Sequence, residues 1–396
     1  MSISQLISQQ MEKSSWIRRM FEQGMELKLI HGEKNVFDFT LGNPVFDPPP
    51  EFTTSLREQV DNPPAGAHRY MPNAGFPQVR EAIASAVSEM QDVEITGKHV
   101  VMTTGAASAL NVVLKALLDP GDEVIVLAPY FVEYLFYVSN HGGEVRVAET
   151  DAAFQPDLDA IAAALGPRTK ALILNSPNNP TGVIYEEQTL QRMSALLEEH
   201  RERTGNAVYV ISDEPYRRLV YNDVKIPPVL KIFQNGVFCT SHAKDLSIPG
   251  ERIGYLALGP RCEHLDALMD ACSFTIRILG FVNAPAIMQR TVASLQGVSI
   301  DVDKYRRLRD LFYDGLAEAG YECVRPQGAF YLFPRSPIPD DVAFVKALME
   351  HRILAVPGSG FGRKGFFRLA YCVDAETIQR SMPGLRQALK ENRGNV

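Results

Sequence analysis

The stretch VVMTTGAASALNVVLKALL, residues 100–118, combines a short apolar run, a turn of small residues and an apolar segment with helical spacing. This pattern predicts a buried strand followed by a helix. Further apolar runs follow at residues 123–129, 144–150, 170–177, 207–214, 236–242 and 252–258, and helical patterns such as residues 188–203 lie between them. Strands that alternate with helices form a mainly parallel sheet covered by helices, so the sequence predicts an α/β fold.

The rest of the chain predicts more helices and a second, smaller α/β region. Residues 262–296 have the pattern of a long helical region. Beyond residue 303, predicted helices at 304–319 and 342–350 alternate with predicted strands at 321–324, 329–333, 353–356 and 366–370. Near the amino end, apolar residues at helical spacing predict a helix over residues 14–30. These residues are Trp16, Ile17, Met20, Phe21 and Met25. We expect the apolar face of this helix to pack either on its own domain or across a subunit boundary.

Composition excludes several classes of protein. A chain of 396 residues exceeds one ordinary core and predicts two domains. The net charge of −7 argues against nucleic acid as the main partner, because there is no basic excess to neutralise phosphates. The five cysteines contain no CxxC pair, which favours reduced thiols over disulfides or a zinc site. No apolar run reaches the length of a membrane span, so we expect a soluble cytoplasmic protein without a metal site.

Polar and aromatic side chains occur where the predicted strands end. Tyr130, Asp213, Tyr216 and Lys244 follow four of these strands, and residues 175–179 follow another. Ligands of such sheets bind outside the carboxyl ends of the strands. We therefore expect these side chains to meet in one site.

Lys244 has the surroundings of a reactive lysine. Small neighbours such as Ser241 leave room for a planar group, and Arg252 follows eight positions later. A desolvated lysine beside another cation loses its proton easily and attacks carbonyls. With Asp213 to hold a protonated ring nitrogen and Asn179 as an amide donor, the set meets the needs of pyridoxal phosphate.

The turn at residues 103–108 has the features of an anion site, since backbone N–H groups at a helix start bind anions. It matches neither G-x-G-x-x-G nor G-x-x-x-x-G-K-[ST]. Binding of a dinucleotide or a nucleoside triphosphate is therefore disfavoured.

A series of motifs resembles the fold-type I, class I/II aminotransferases, which depend on pyridoxal 5'-phosphate. The motifs occur in the family's order over nearly the whole chain: YMPNAGFPQVREAIA, GAASAL, SPNNPTG, SDEPYRRLVY, SHAKDLSIPGERIGY, GAFYLFP and PGSGFGRKGFFRLAY. The resemblance implies a large domain at residues 46–284 with a mainly parallel, seven-stranded sheet between helices. It implies a smaller α/β domain made of residues 1–45 and 285–396.

The resemblance also implies a role for each matching residue around the cofactor ring. Lys244 would form the Schiff base and then shuttle the proton. Asp213 would pair with the pyridine nitrogen, while Tyr216 and Asn179 would donate to the phenolic oxygen. Tyr130 would stack on the ring face.

Further roles are implied for the phosphate and the substrate. The phosphate would be held by the backbone at Ala106 and Ala107, by Ser241 and Arg252, and by Tyr70 of the partner in a homodimer. Arg368 would clamp the substrate's α-carboxylate through two hydrogen bonds. Gly42 would bring a backbone N–H to the same carboxylate.

The activity implied is transfer of an amino group from an L-amino acid to a 2-oxo acid, by a ping-pong route through pyridoxamine phosphate. A β-lyase or another pyridoxal-phosphate reaction on the same scaffold is the alternative. A non-catalytic sensor domain is disfavoured by the intact lysine and the lack of a DNA-binding module. The substrate's side chain stays open: Arg277 in TIRILGF either contacts a dicarboxylate or lies on a helix surface.

Overall fold

The computed structural model of the chain describes residues 3–393, without the side chains of residues 12–21. The helices are α1 Gln5–His31, α2 Pro50–Asp61, α3 Pro77–Gln91, α4 Ala106–Leu117, α5 Glu133–Asn140, α6 Leu158–Ala164, α7 Glu187–Thr204, α8 Val229–Ile232, α9 Leu265–Ile278, α10 Ala286–Ala293, α11 Val302–Ala319, α12 Asp341–Glu350 and α13 Ala375–Arg393. The strands are β1 Phe37–Asp38, β2 Val100–Thr103, β3 Glu123–Ala128, β4 Glu144–Glu149, β5 Thr169–Asn175, β6 Tyr209–Asp213, β7 Gly236–Ser241, β8 Gly254–Leu258, β9 Tyr331–Leu332, β10 Ile353–Leu354, β11 Val356–Pro357 and β12 Phe367–Ala370.

A seven-stranded sheet forms the centre of the large domain, with strand order β2-β8-β7-β6-β5-β3-β4. Neighbouring strands are parallel except that β8 runs antiparallel to both β2 and β7. The mainly parallel sheet predicted from the sequence is therefore confirmed. Most of its strands are buried on both faces by helices, as their continuous apolar runs require.

A second apolar core lies in the smaller α/β region. It is built around α11, α12 and α13, a three-stranded sheet in the order β11-β12-β9, and the parallel pair β1-β10. The pairing of β1 with β10 joins residues 37–38 to this region. Buried apolar residues from Ile300 onward belong to this second core, whereas Ala284, Met288 and Leu295 pack in the core of the large domain.

Two local predictions are wrong. The helical region at residues 262–296 is two helices, α9 and α10, separated by a turn that contains Gly280 with φ +84°. Residues 321–324 form no strand; Tyr321 instead packs its ring against Phe344 and Phe367.

The predicted amino-terminal helix is part of α1. The side chains of Trp16, Ile17, Met20 and Phe21 lie outside the described residues, so the packing predicted for them stays untested. The carboxyl half of α1 contacts the smaller region, because Lys28 forms an ion pair with Asp38 at 2.7 Å. Met25, in the described part of the helix, is exposed.

Candidate active site

A cavity of about 380 Å³ opens at the carboxyl ends of β5, β6 and β7, where the two cores meet. Most of the predicted site residues line it together: Gly42, Ala106, Ala107, Asn179, Asp213, Tyr216, Ser241, Lys244, Arg252 and Arg368. They come from separate stretches of the sequence. The fold therefore gathers these residues in one place.

Lys244 lies just after β7, with its side chain partly buried in the cavity. Its Nζ atom donates a hydrogen bond to the backbone carbonyl of Gly42 at 2.7 Å. Burial lowers the pKa of Lys244 to about 8, and the positive charges of Arg252 and Arg368 act in the same direction. A lysine of this kind is uncharged much more often than one in water, and an uncharged amine is a nucleophile and a base.

Asp213 ends β6 and presents a buried carboxylate to the cavity. Its Oδ2 atom accepts a hydrogen bond from the hydroxyl of Tyr134 at 2.6 Å. Its Oδ1 atom is buried and has no hydrogen-bond partner within the described part of the chain. Burial raises the pKa of Asp213 to about 7, although the bond from Tyr134 opposes the shift. A cationic N–H group placed at Oδ1 would satisfy this carboxylate and keep it ionised.

Tyr216 and Asn179 lie near Asp213 and contact other polar groups of the cavity. The hydroxyls of Tyr216 and Tyr331 share a hydrogen bond at 2.8 Å. Asn179 is oriented by its backbone N–H, which donates to Oδ1 of Asn175 at 2.7 Å. Burial raises the pKa of Tyr216 well above its usual value, so this hydroxyl keeps its proton and can donate it in a hydrogen bond.

One end of the cavity is arranged for an anion. Helix α4 begins at Ala106, directly after Gly105, which has φ +95°. The guanidinium of Arg252 lies against Gly105: a Cβ atom at that glycine would be 2.8 Å from Nη2. The first N–H groups of α4, the hydroxyl of Ser241 and the Arg252 guanidinium thus offer donors to one anionic group.

Arg368 lies on the small-domain side, buried between the rings of Tyr331 and Phe361, with its Cζ atom 4.7 Å from each ring centre. Its Nη1 atom donates to Oδ1 of Asn179 at 2.9 Å and its Nη2 atom donates to the carbonyl of Thr40 at 2.5 Å. Its Nε atom is buried without a partner in the described residues. This guanidinium is suited to a carboxylate ligand.

Tyr130 is not among the residues that line the cavity, so its predicted stacking on the ring stays a prediction. Its backbone N–H donates to the carbonyl of Phe361, and its ring lies against Gly362, in the loop after β11. The next residue, Phe131, lines the cavity instead and packs edge-on against Tyr134. Phe131 is therefore a second aromatic residue, next to Tyr130, that could cover a ring bound in the cavity.

Two other residues lie outside the cavity of their own chain. Tyr70 is 93% exposed, so its hydroxyl is available to another molecule. Arg277 lies on the exposed face of α9, with its guanidinium over the ring of Phe274. Neither contributes to the site within this chain.

Several residues of the site escaped the sequence analysis. Tyr134, Glu133 and Tyr331 line the cavity, and each depends on contacts between distant parts of the chain. For Glu133 and Tyr134, the local signal was their place in the run YFVEY, residues 130–134, which directly follows a predicted strand.

The cavity fits pyridoxal phosphate. It combines an anion-binding end, a buried carboxylate with a free oxygen atom, and a partly buried lysine of lowered pKa. A phosphorylated pyridine aldehyde requires these three features. Arg368 remains on the opposite side for the substrate.

Comparisons with known proteins agree with this geometry. The sequence profile of the family "Aminotransferase class I and II" matches residues 34–383. The aspartate/prephenate aminotransferase of Thermus thermophilus is 35% identical, over 88% of this chain and 90% of that protein. The aspartate aminotransferase of Thermotoga maritima is 34% identical, over 91% of this chain and 93% of that protein.

Solved structures give the same result. An amino transferase from Eubacterium rectale superposes with a TM-score of 0.95 at 36% identity, covering 99% of each chain. The Thermus thermophilus aspartate aminotransferase with maleate gives a TM-score of 0.83 at 31% identity, covering 94% of this chain and 96% of that one.

The chain belongs to the class I and II aminotransferases. It is a pyridoxal-phosphate-dependent transaminase that moves an amino group between an amino acid and a 2-oxo acid by a ping-pong mechanism. Within the described residues, no helix has both the length and the apolar character needed to cross a bilayer.

Proposed function

We propose that the cavity around Lys244 is the active site of this transaminase, and that its residues act as follows. Arg252, Ser241 and the start of α4 hold the cofactor phosphate. Asp213 receives the ring N–H at its free Oδ1 atom, and Arg368 binds the substrate's α-carboxylate. The observation that carries the proposal is that Lys244, with a lowered pKa, lines one cavity together with Arg252, Arg368 and the unpartnered Oδ1 atom of Asp213.

The bound cofactor supplies an electron sink for the negative charge that develops when a bond to the substrate's α carbon breaks. Asp213 keeps the ring nitrogen charged, and Tyr134 orients Asp213 through its hydrogen bond. Lys244 Nζ holds the cofactor at rest and, once free, moves a proton at the substrate's α carbon. Tyr216 and Asn179 donate hydrogen bonds next to Lys244, and Phe131 covers the ring.

Half-reactions test this proposal directly. Mixing the holoenzyme with single amino acids should change the visible absorption of the cofactor and release one equivalent of 2-oxo acid, without release of ammonia. Ammonia and pyruvate in the absence of an acceptor would instead identify a β-lyase.

Lys244→Ala should abolish turnover, since no other described residue of the cavity offers an amine, while the phosphate end still binds the cofactor. Full activity of that variant would refute the assignment of Lys244. Lys231→Ala is the matched control, because Lys231 lies exposed at the surface, where it pairs with Asp92.

We further propose that the active form is a homodimer in which Tyr70 reaches the phosphate of the partner subunit. Its near-complete exposure in a single chain supports this assembly. We also propose a cytoplasmic location, since the five cysteines are free thiols. For the domains, the apolar cores favour a boundary near residue 300 rather than 285.

The substrate is an amino acid with a free α-carboxylate for Arg368. The relatives are named for aspartate, and the Thermus thermophilus enzyme also for prephenate. These names make aspartate the first compound to test. The lining of the cavity, however, adds a constraint of its own.

A further inference from the structure

Glu133 is a charged residue of the cavity to which the reaction assigns no role. It is the first residue of α5 and lines the cavity beside Tyr134. Its Oε2 atom is buried and has no hydrogen-bond partner within the described part of the chain. An acceptor buried in this way is destabilising until a donor reaches it.

Glu133 lines the same cavity as Arg368 and interacts with it electrostatically. The charge of Arg368 stabilises its ionised form, while burial raises the pKa of Glu133. Glu133 in turn raises the pKa values of Tyr137 and Tyr331. Tyr331 packs on Arg368, so this carboxylate lines the cavity within electrostatic range of the group proposed to bind the substrate.

Each positively charged residue of the cavity already has a partner under the proposed function. Among the described residues that line it, the positive charges are Lys244, Arg252 and Arg368. They serve the cofactor aldehyde, its phosphate and the α-carboxylate. Arg277, the candidate for a second carboxylate, lies outside. The chain therefore presents a negative group, and no spare positive one, to the substrate's side chain.

We propose that Glu133 selects the substrate's side chain: it accepts a hydrogen bond from amino acids whose side chains end in an N–H or O–H donor, and it disfavours those that end in a carboxylate. This inference rests on the function proposed above. A donor would satisfy Oε2, whereas a second carboxylate would meet a like charge in a site of low dielectric.

Glutamine and glutamate provide the test, because their side chains have nearly the same shape. The glutamine side chain ends in an amide with N–H donors, whereas the glutamate side chain ends in a carboxylate that only accepts hydrogen bonds. In the holoenzyme, we expect kcat/KM for the half-reaction to be higher with glutamine than with glutamate. Glu133→Gln should lower this ratio by about 10- to 100-fold, because glutamine then bonds to a neutral amide instead of a charged carboxylate, and glutamate meets an N–H donor instead of a like charge.

Alanine serves as the neutral reference substrate, and its kcat/KM should change by less than about threefold, because its side chain makes no such hydrogen bond. Glu187→Gln is the control variant: Glu187 is likewise the first residue of a helix, α7, but is exposed far from the cavity. It should leave the ratio unchanged. Glu133→Met, which offers no strong hydrogen-bonding group, should bring the ratio towards unity. This variant tests whether the effect of Glu133→Gln comes from the loss of the carboxylate or from the amide that replaces it.

Each other outcome overturns the inference. An unchanged ratio in Glu133→Gln and Glu133→Met excludes a contact with the side chain. An equal loss for all substrates, alanine included, assigns Glu133 to the support of Arg368. A selective loss of glutamate activity means that Glu133 orients a cation from the partner subunit. If the wild type reacts with no amino acid, the proposed function fails as well, whereas a reaction with alanine at an unchanged ratio removes this inference alone.

Discussion

At Asp213 the chain buries a carboxylate and leaves one of its oxygen atoms without a partner. In the chain without cofactor, burial raises the pKa of this group from 3.8 to about 7. The bound ring N–H would reverse the shift, because an opposite charge favours the ionised form. Cofactor affinity and protein stability are therefore linked through this single residue.

The sign of the linkage gives a prediction for the cofactor-free protein. Between pH 4 and 7 the folded chain holds a proton on Asp213 that the unfolded chain has lost. The free energy of unfolding should therefore fall as the pH rises through this interval, by up to about 1.4 kcal/mol per pH unit. Asp213→Asn should lack this pH-dependent change in the free energy of unfolding. Urea unfolding of the wild type and of Asp213→Asn from pH 5 to 8 will measure the difference. Parallel stability curves would contradict the assigned pKa.

Gly42 allows a second prediction at the same scale. A Cβ atom there would lie 1.9 Å from the hydroxyl oxygen of Tyr331, so Gly42→Ala must displace the tyrosine that bonds to Tyr216 and packs on Arg368. We expect kcat/KM for any amino acid to fall at least about tenfold. Gly250→Ala is the matched control, since a Cβ atom at Gly250 meets nothing within 4 Å. Equal kinetics for the two variants would show that the contact is unimportant.

The sequence predicted those residues of the site whose chemical role can be recognised from the residues next to them in a local motif. Lys244 among small residues and Asp213 at a strand end are examples, and the structure brings both into one cavity. Phe131 shows the limit: it lines the cavity while Tyr130 packs against the loop after β11, and the sequence does not indicate which of the two neighbours faces the cavity. Glu133 was missed for the same reason, since its burial is a property of the folded chain.

Among the elements, the strands of the large sheet were the most predictable. Strands such as β3 and β6 are buried along their whole length, and each contains an apolar run, at residues 124–128 and 209–211. The short strands of the small domain, such as β9 with two residues, carry too few side chains for a periodic signal. Residues 321–324 have a β-like composition, but Tyr321 is fixed by packing against α12 and β12 instead of by a ladder.

The start of α4 yields a prediction about an element. Gly105→Ala places a Cβ atom against Arg252 and adds a side chain where φ is +95°, so it should weaken cofactor binding at least about tenfold. Gly205→Ala at the end of α7 is the control: it too has a positive φ, but its Cβ atom meets nothing within 4 Å. It should cost about 1 kcal/mol of stability and leave cofactor affinity unchanged. Fluorescence titration with pyridoxal phosphate compares the two, and equal affinities would exclude a phosphate site at this helix start.

At the scale of the whole molecule, the active site lies between two apolar cores. The large sheet carries Asp213 at the end of β6 and Lys244 just after β7, and the small sheet carries Arg368 in β12 and Tyr331 in β9. Arg368 already donates to Asn179 of the large domain. The substrate's carboxylate would therefore bind where the two domains touch, which couples its binding to their relative position.

The proposed homodimer can be tested by combining two inactive or impaired chains in one molecule. If Tyr70 acts on the partner's phosphate, a hybrid of Lys244→Ala and Tyr70→Ala chains contains one fully intact site: it has Lys244 from the Tyr70→Ala chain and Tyr70 from the other. Its second site carries both changes. Differently tagged chains, co-expressed and purified as the hybrid, should therefore show about half the wild-type activity at limiting cofactor. If Tyr70 acted within its own chain, neither site would be intact, and the hybrid would be no more active than the Tyr70→Ala protein alone.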